Sequence, residues 1–397
     1  MASILLAIIY VAFISLGLPD AILGSAWPSM YPQLGVPVSW AGVISMIIAG
    51  GTIVSSLLSV RVIRRFGTGA VTAASVLLTA LALLGFSFSG AFWQLCLWGI
   101  PYGLGAGSVD AALNNFVALH YKSRHMNWLH CFWGVGAAIG PWIMGLCLAG
   151  GLRWISGYRV VGALQMALVV GLMFSLPAWR QKQAEVGAEA EAHDKTGMKE
   201  ILRLPGAKAA LAAFFCYCAM ETTAGLWASS YMVLGRGIRA ETAAKMASLY
   251  YLGITAGRFL SGFVSGRLGD KRIIRLGQAL VIFGIALILL PLGDAAVFCG
   301  LAAAGLGSAP IFPSLLHETP ANFGRGASQA LIGMQMASAY TGTTLMPLLF
   351  GFLAGGERIA LYPLYLLIFA AAMIALVERV NRACPKPPRD GAPSRPS

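Results

Sequence analysis

The chain has 397 residues, of which 58% are hydrophobic and only 11% charged, with 48 glycines. That balance excludes an ordinary soluble globular domain and matches a polytopic membrane protein. The net charge of +13 does not indicate nucleic acid, because the basic residues sit in short clusters between apolar runs, where they set membrane orientation.

Apolar runs of about 20 residues, the length that a ~30 Å hydrocarbon core demands, recur twelve times. They lie near residues 3–27, 39–60, 68–89, 92–118, 127–149, 158–177, 207–234, 243–264, 274–292, 295–316, 327–354 and 359–380. The first run could be mistaken for a signal peptide, with Gly24-Ser25-Ala26 after it. It lacks a basic leader and is interrupted by Asp20, so it is read as the first transmembrane helix. Between the sixth and seventh runs lies one long polar stretch, Arg180 to Arg203, read as a linker between halves. The expected organisation is a six-helix bundle over 1–178, a cytoplasmic linker over 179–205, a second six-helix bundle over 206–381 and a disordered cytoplasmic tail over 382–397.

Orientation follows from lysine and arginine. One side of this topology collects 21 of them and the other five, which places both termini and the linker in the cytoplasm and the protein in the inner membrane. The seven cysteines fall within or beside apolar segments, apart from Cys384, and form no metal-ligand pattern; they read as small hydrophobes.

An internal repeat runs through the twelve helices at an offset near 205. LAGGLR at Leu148 to Arg153 matches LAGGER at Leu353 to Arg358. Gly103-Leu104-Gly105 in helix four matches Gly305-Leu306-Gly307 in helix ten, and Ser55, Ser59 and Arg61 match Ser261, Ser265 and Arg267. Asp20-x3-Gly24-x2-Trp27 in helix one parallels Glu221-x3-Gly225-x-Trp227 in helix seven. The collinear order of these matches gives the fold class: an all-α integral membrane protein of twelve transmembrane helices in two pseudo-symmetric bundles, with a site between the halves near the midplane.

Polar residues inside such helices are functional candidates by default, because each is expensive in lipid. In helix four, Gly103, Gly107, Asp110 and Asn114 share one stripe; Asn127, His130, Gly134 and Pro141 form another in helix five. Helix one carries Asp20 just after Pro19, and helix seven carries Glu221. Asp110 is the first candidate for a proton carrier, since no lysine or arginine in its helix could neutralise it; the alternative is a carboxylate that fixes helix packing. Asp20 has the same two readings. Glu221 is a titratable group, an acceptor for substrate hydroxyls, or a partner of Arg258 or Lys245. His130 either touches substrate or holds helix five. Gln335 in helix eleven, the repeat equivalent of His130, with Ser328 on its stripe, suits a neutral polyhydroxylated ligand. Trp27, Trp133 and Trp227 are stacking surfaces for a sugar ring or packing residues.

These residues bring a family into view. The loop GFVSGRLGDKR at Gly262 to Arg272, its partner SVRVIRRFG at Ser59 to Gly67 and the six-plus-six layout resemble the major facilitator superfamily. GLPDAILGSAWP in helix one, Asp110-x3-Asn114, Asn127-x2-His130-x2-Trp133-Gly134, Glu221 with Trp227 and Tyr231, and GLGSAPIFPSL in helix ten resemble its fucose:proton symporter type. That resemblance implies a gating loop at Gly262, Gly266, Arg267, Asp270 and Arg272. It also implies that two carboxylates, here Asp20 and Asp110, recognise substrate and couple protons. Asp110 stands where the type has Glu, and Asn114-Asn115 where it has Asn-Pro, so fucose itself is not implied.

A carboxylate in a low-dielectric cavity resists ionisation and can take a proton from one side and release it to the other. The expected function is therefore secondary active transport of a small polar solute, a sugar, in symport with protons. Asp110 and Asp20 are the proton-coupling residues, and Asp20, Asn114, Asn127, His130, Glu221, Trp227 and Gln335 bind substrate. A proton-driven exporter of amphiphilic compounds and a non-transporting sensor are the alternatives. Enzymatic activity is not expected, because no nucleophile–base pair, phosphate loop or metal motif is present. The expected partners are solute, proton and lipid, with the chain a monomer and no cofactor or metal.

Overall fold

A computed structural model describes residues 2–120, 123–184 and 202–384. Within them all regular structure is helical. The elements are α1 (Ala2–Asp20), α2 (Ile22–Leu34), α3 (Ala41–Phe66), α4 (Thr68–Phe88), α5 (Phe92–His120), α6 (Ser123–Ala149) and α7 (Trp154–Ala184) in the first half. The second half has α8 (Ala207–Ser230), α9 (Ala240–Leu268), α10 (Asp270–Leu289), α11 (Asp294–Ser308), α12 (Ile311–Phe323), α13 (Arg325–Leu353) and α14 (Tyr362–Ala383).

These fourteen helices make the twelve expected spans, because two spans are broken. The first breaks at Ala21, one residue after the Asp20 that follows Pro19, and the tenth breaks at Ala309-Pro310. A proline removes a backbone donor and crowds the preceding turn, so both breaks sit where the backbone is least able to continue a regular ladder. The sixth span runs longer at both ends than 158–177, and the seventh ends in a π-helical turn, Tyr231–Gly235.

Ten spans among the described residues are long and apolar enough to cross a membrane. The two that fall outside that set are α5, which carries Asp110 and Asn114, and α9, which carries Glu241, Lys245 and Arg258. Outward faces expose large apolar side chains such as Phe174 (83%), Phe88 (74%) and Phe263 (69%). In water such surface would drive association; here it meets lipid.

The repeat reappears in the contacts. In α5, an added Cβ on Gly103 would strike the Ile48 carbonyl of α3 and one on Gly105 would meet Ser75 and Thr79 of α4. In α11, Gly305 meets the Tyr250 carbonyl of α9 and Gly307 the Gly277 carbonyl of α10. The matched glycines thus bring matched helices to backbone contact, as small residues do in membranes. The loops joining α3 to α4 and α9 to α10 match as well: Gly67 (φ 80°, ψ 154°) and Gly269 (φ 75°, ψ 153°) adopt one conformation that only glycine takes without strain.

The halves meet chiefly through α6 on α9 and α3 on α13, with α2 against α8. Close approaches cluster at the end opposite the chain termini. Gly24 abuts the Gly225 and Leu226 backbone, Gly42 the Leu348 backbone, and Gly351 the Ser39 backbone, while Gly145 meets Glu241 and Lys245. Side chains without volume let the main chains of the two halves touch there.

Candidate functional site

Between the halves lies a cavity of about 270 Å³. Its wall carries Phe13, Leu16 and Asp20 from α1; Ile48 and Thr52 from α3; and Ala106 and Asp110 from α5. His130 and Trp133 of α6, Arg258 of α9 and Tyr340 of α13 complete it.

Asp20 is placed by backbone packing. Gly17 of α1 sits against the Trp133 carbonyl, while Gly136 and Gly140 of α6 sit against the Ile14 and Leu18 carbonyls. The two main chains therefore touch along this stretch, and Asp20, at the last residue before the break, reaches the cavity and is exposed to it. Both of its oxygens accept hydrogen bonds. Tyr102 of α5 donates to Oδ1 at 3.0 Å and the Trp133 indole N–H donates to Oδ2 at 2.8 Å. Trp133 in turn packs edge-on against Tyr251 (ring centroids 6.5 Å apart) and lies under the Arg258 guanidinium, whose Cζ is 5.1 Å from the ring centroid. Arg258 Nη1 also donates to the His130 carbonyl at 3.3 Å. One connected network thus joins α1, α5, α6 and α9 across both halves.

Asp110 belongs to the α5 stripe, and the structure divides that stripe by task. Gly103 and Gly107 face α3, where an added Cβ would strike the Ile48 and Thr52 carbonyls. Asp110, about two turns above Gly103, lines the cavity instead. Asn114, one turn further on, donates from Nδ2 to the Asp110 carbonyl at 3.0 Å and to Oδ1 at 2.9 Å. Asn114 therefore orients the carboxylate and is not itself on the wall.

The other expected residues separate into groups. His130 is on the wall, its ring edge-on to Phe13 at 5.8 Å. Glu221 is half-buried in α8, off the wall, and its Oε1 accepts from Tyr217 at 2.9 Å, one turn back on the same helix. Trp227 lies off the cavity wall. It is 0% exposed, donates to the Pro347 carbonyl at 3.0 Å and packs on Phe350 at 5.5 Å, so it joins α8 to α13. Trp27 does the same in the first half, donating to the Val38 carbonyl.

Gln335 is likewise off the wall. It is 1% exposed, and its Oε1 accepts from Thr319 at 3.1 Å between α12 and α13, away from the cavity. The Asn127 and Ser328 side chains lie outside what the structure describes. In the loop, Gly262 and Arg272 are exposed, and Asp270 bonds His317 of its own half at 2.7 Å. The Gly266 and Arg267 side chains lie outside the described set.

Sequence reasoning passed over Arg258 as a site residue, weighing it only as a partner for Glu221. The signal was there: an arginine in the middle of YYLGITAGRFLSG is as costly in lipid as the acids. Tyr102, Thr52 and Tyr340 carry no comparable signal, because tyrosine and threonine occur throughout membrane helices as packing residues.

The wall thus combines two carboxylates, one guanidinium, an imidazole, hydroxyls and an indole face. Such groups offer hydrogen-bond donors and acceptors on several sides of the cavity.

Comparison with known proteins agrees with this architecture. The family model described as Major Facilitator Superfamily matches residues 9–326. Bypass of stop codon protein 6 of Saccharomyces cerevisiae (strain ATCC 204508 / S288c) is 24% identical over 287 residues, 65% of this chain. The match covers 56% of that protein, so the chain spans little more than half of that relative's length. Among solved structures, a bacterial homolog to the human lysosomal transporter Spinster, inward-facing and unoccupied, superposes with a TM-score of 0.72 at 12% identity, covering 97% of this chain and 98% of the other. The nucleoside transporter NupG superposes at 0.75 with 12% identity, covering 95% and 98%. At that identity the two structures speak to fold alone. With the family model spanning most of the residues, and helix order, repeat and central cavity all in agreement, the chain belongs to the major facilitator superfamily.

Proposed function

We propose that the protein is a secondary active transporter that moves a small sugar-like solute in symport with protons by alternating access, using Asp110 and Asp20 for coupling. The observation that carries this reading is that two carboxylates from different helices line one cavity at the junction of the halves. A group whose charge changes at that junction biases the equilibrium between the two access states, and a solute in the same cavity biases it too; that shared bias is coupling.

The two acids divide the work. Asp20 accepts a donor on each oxygen from α5 and α6, so its charge is tied to helix placement. Asp110 accepts only from Asn114 among the described residues, which leaves an oxygen for a proton or a substrate hydroxyl. The lysine and arginine excess on the terminus-bearing side supports cytoplasmic termini in a cell membrane, and the close backbone contacts between the halves at the opposite end support a cavity reached from the cytoplasm.

The test uses purified protein in liposomes with a trapped pH dye and a panel of monosaccharides, disaccharides, polyols and sugar acids, for the native chain and for Asp110→Asn. Sugar-triggered proton entry in the native protein that disappears in the variant, while the variant still binds the same sugar, is the expected result. Binding without proton movement in the native protein would sink proton symport.

A further inference from the structure

Arg258 is the one cation on the cavity wall among the described residues. Its surroundings use only part of the guanidinium: Nη1 reaches the His130 carbonyl, and one face lies on Trp133. A guanidinium carries five N–H donors in a planar fork, and its paired edges match a carboxylate. No described carboxylate is within ion-pair distance of it: Asp20 and Asp110 line the same cavity, and Glu221, in the neighbouring helix, feels its charge from farther away. A cation held among membrane helices without a paired anion is expensive unless something else meets it.

We propose that Arg258 is the anion anchor of the cavity and that the transported solute is a polyhydroxylated carboxylate the size of a six-carbon sugar acid, not a neutral sugar. This rests on the transporter reading above and narrows its substrate. Among the described residues, two amides that would favour a neutral polyol have partners of their own: Asn114 with Asp110, and Gln335 with Thr319. What remains on the wall for hydroxyl groups is Thr52, His130, Tyr340 and the two carboxylates. The volume, about 270 Å³, falls just below the range of roughly 300–1,000 Å³ that takes drug-sized ligands.

Charge then explains why protons must travel with the solute. With Asp20 and Asp110 ionised, the wall carries two negative charges against the one positive charge of Arg258. An anionic solute adds a third negative charge. A proton on Asp110 removes one, so the loaded cavity returns to the charge of the empty one, and solute and proton each lower the cost of admitting the other.

The experiment measures binding of D-galacturonate and D-glucuronate against galactose and glucose to the purified full-length protein, for the native chain, Arg258→Lys and Arg258→Gln. Native protein is expected to bind the acids at least roughly tenfold tighter than their neutral counterparts, the size of a charge-assisted hydrogen bond. Arg258→Gln should bring that ratio close to one, and Arg258→Lys should keep part of it. The native ratio decides even where a variant folds poorly. Equal binding of acids and neutral sugars overturns the anchor, as does an unchanged ratio in Arg258→Gln. Tighter binding of glucose 6-phosphate than of either acid overturns the carboxylate assignment. Proton entry driven by neutral sugars alone leaves the transporter reading standing and overturns the anchor, whereas no binding of any sugar overturns both.

Discussion

The two halves are built on one plan and use it differently. Asp20 in the first half and Glu221 in the second occupy corresponding places in the repeat, each four residues before a glycine that packs at the junction of the halves. Asp20 is held by donors from two other helices and opens on the cavity; one oxygen of Glu221 accepts from Tyr217 of its own helix. His130 lines the cavity, whereas its counterpart Gln335 is sealed between α12 and α13. Most of the wall thus comes from the first half, and the second adds Arg258 and Tyr340. Symmetry of backbone does not carry symmetry of chemistry, because a polar side chain serves whichever neighbour meets it first.

The strongest way to break this arrangement is to separate α1 from α6. A Cβ on Gly136 would drive into the Ile14 carbonyl, and backbone cannot yield as a flexible side chain can. Gly136→Leu is expected to cost about 3 kcal/mol or more, the upper end of overpacking effects, and to abolish transport. Gly171→Leu, where nothing lies within 4 Å, should be tolerated. Thermal unfolding in detergent compares the two, and equal melting would show that close approach at Gly136 does not hold the site.

A smaller perturbation sharpens the contrast between the acids. Trp133→Phe keeps an aromatic face beneath Arg258 but removes the donor to Asp20. Tyr217→Phe removes the donor to Glu221. The first is expected to lower solute-driven proton uptake by roughly tenfold or more, the scale of a hydrogen bond to a charged group, and the second by no more than about twofold if Glu221 stands outside the transport pathway. Uptake assays in liposomes that find the reverse order would move the coupling site to the second half.

Much of the architecture is legible in the residues alone because it depends on properties that add along a window. Twelve apolar runs and the matched glycines appear as composition and spacing, and the matched Gly103 and Gly305 make matching backbone contacts. Asp20, Asp110 and His130 stand out because ionisable groups are rare in such runs, and all three reach the cavity. The direction of a side chain within a crowded helix is different. Trp227 and Gln335 lie on polar or small-residue stripes, as the site residues do, and only the Pro347 carbonyl and the Thr319 hydroxyl across the helix interface decide that they point into packing. Arg258 illustrates the opposite failure: the rule that marks intramembrane acids applies equally to a base.

The smallest expected effect tests the second half's inward turn. Thr319 Oγ1 lies 3.1 Å from both the Leu315 carbonyl and Gln335 Oε1, which share its single hydrogen, and both Thr319 and Gln335 are 1% exposed. Thr319→Val keeps the shape and removes the hydroxyl, so Gln335 loses that donor in a place water does not reach. Polar contacts between membrane helices are worth about 1 kcal/mol, and a loss of that order in unfolding stability is expected, with transport unchanged because neither residue touches the cavity. A tenfold fall in transport at unaltered stability would instead show that Gln335 couples to the site. The second half would then contribute through α12 as well as through Arg258 and Tyr340.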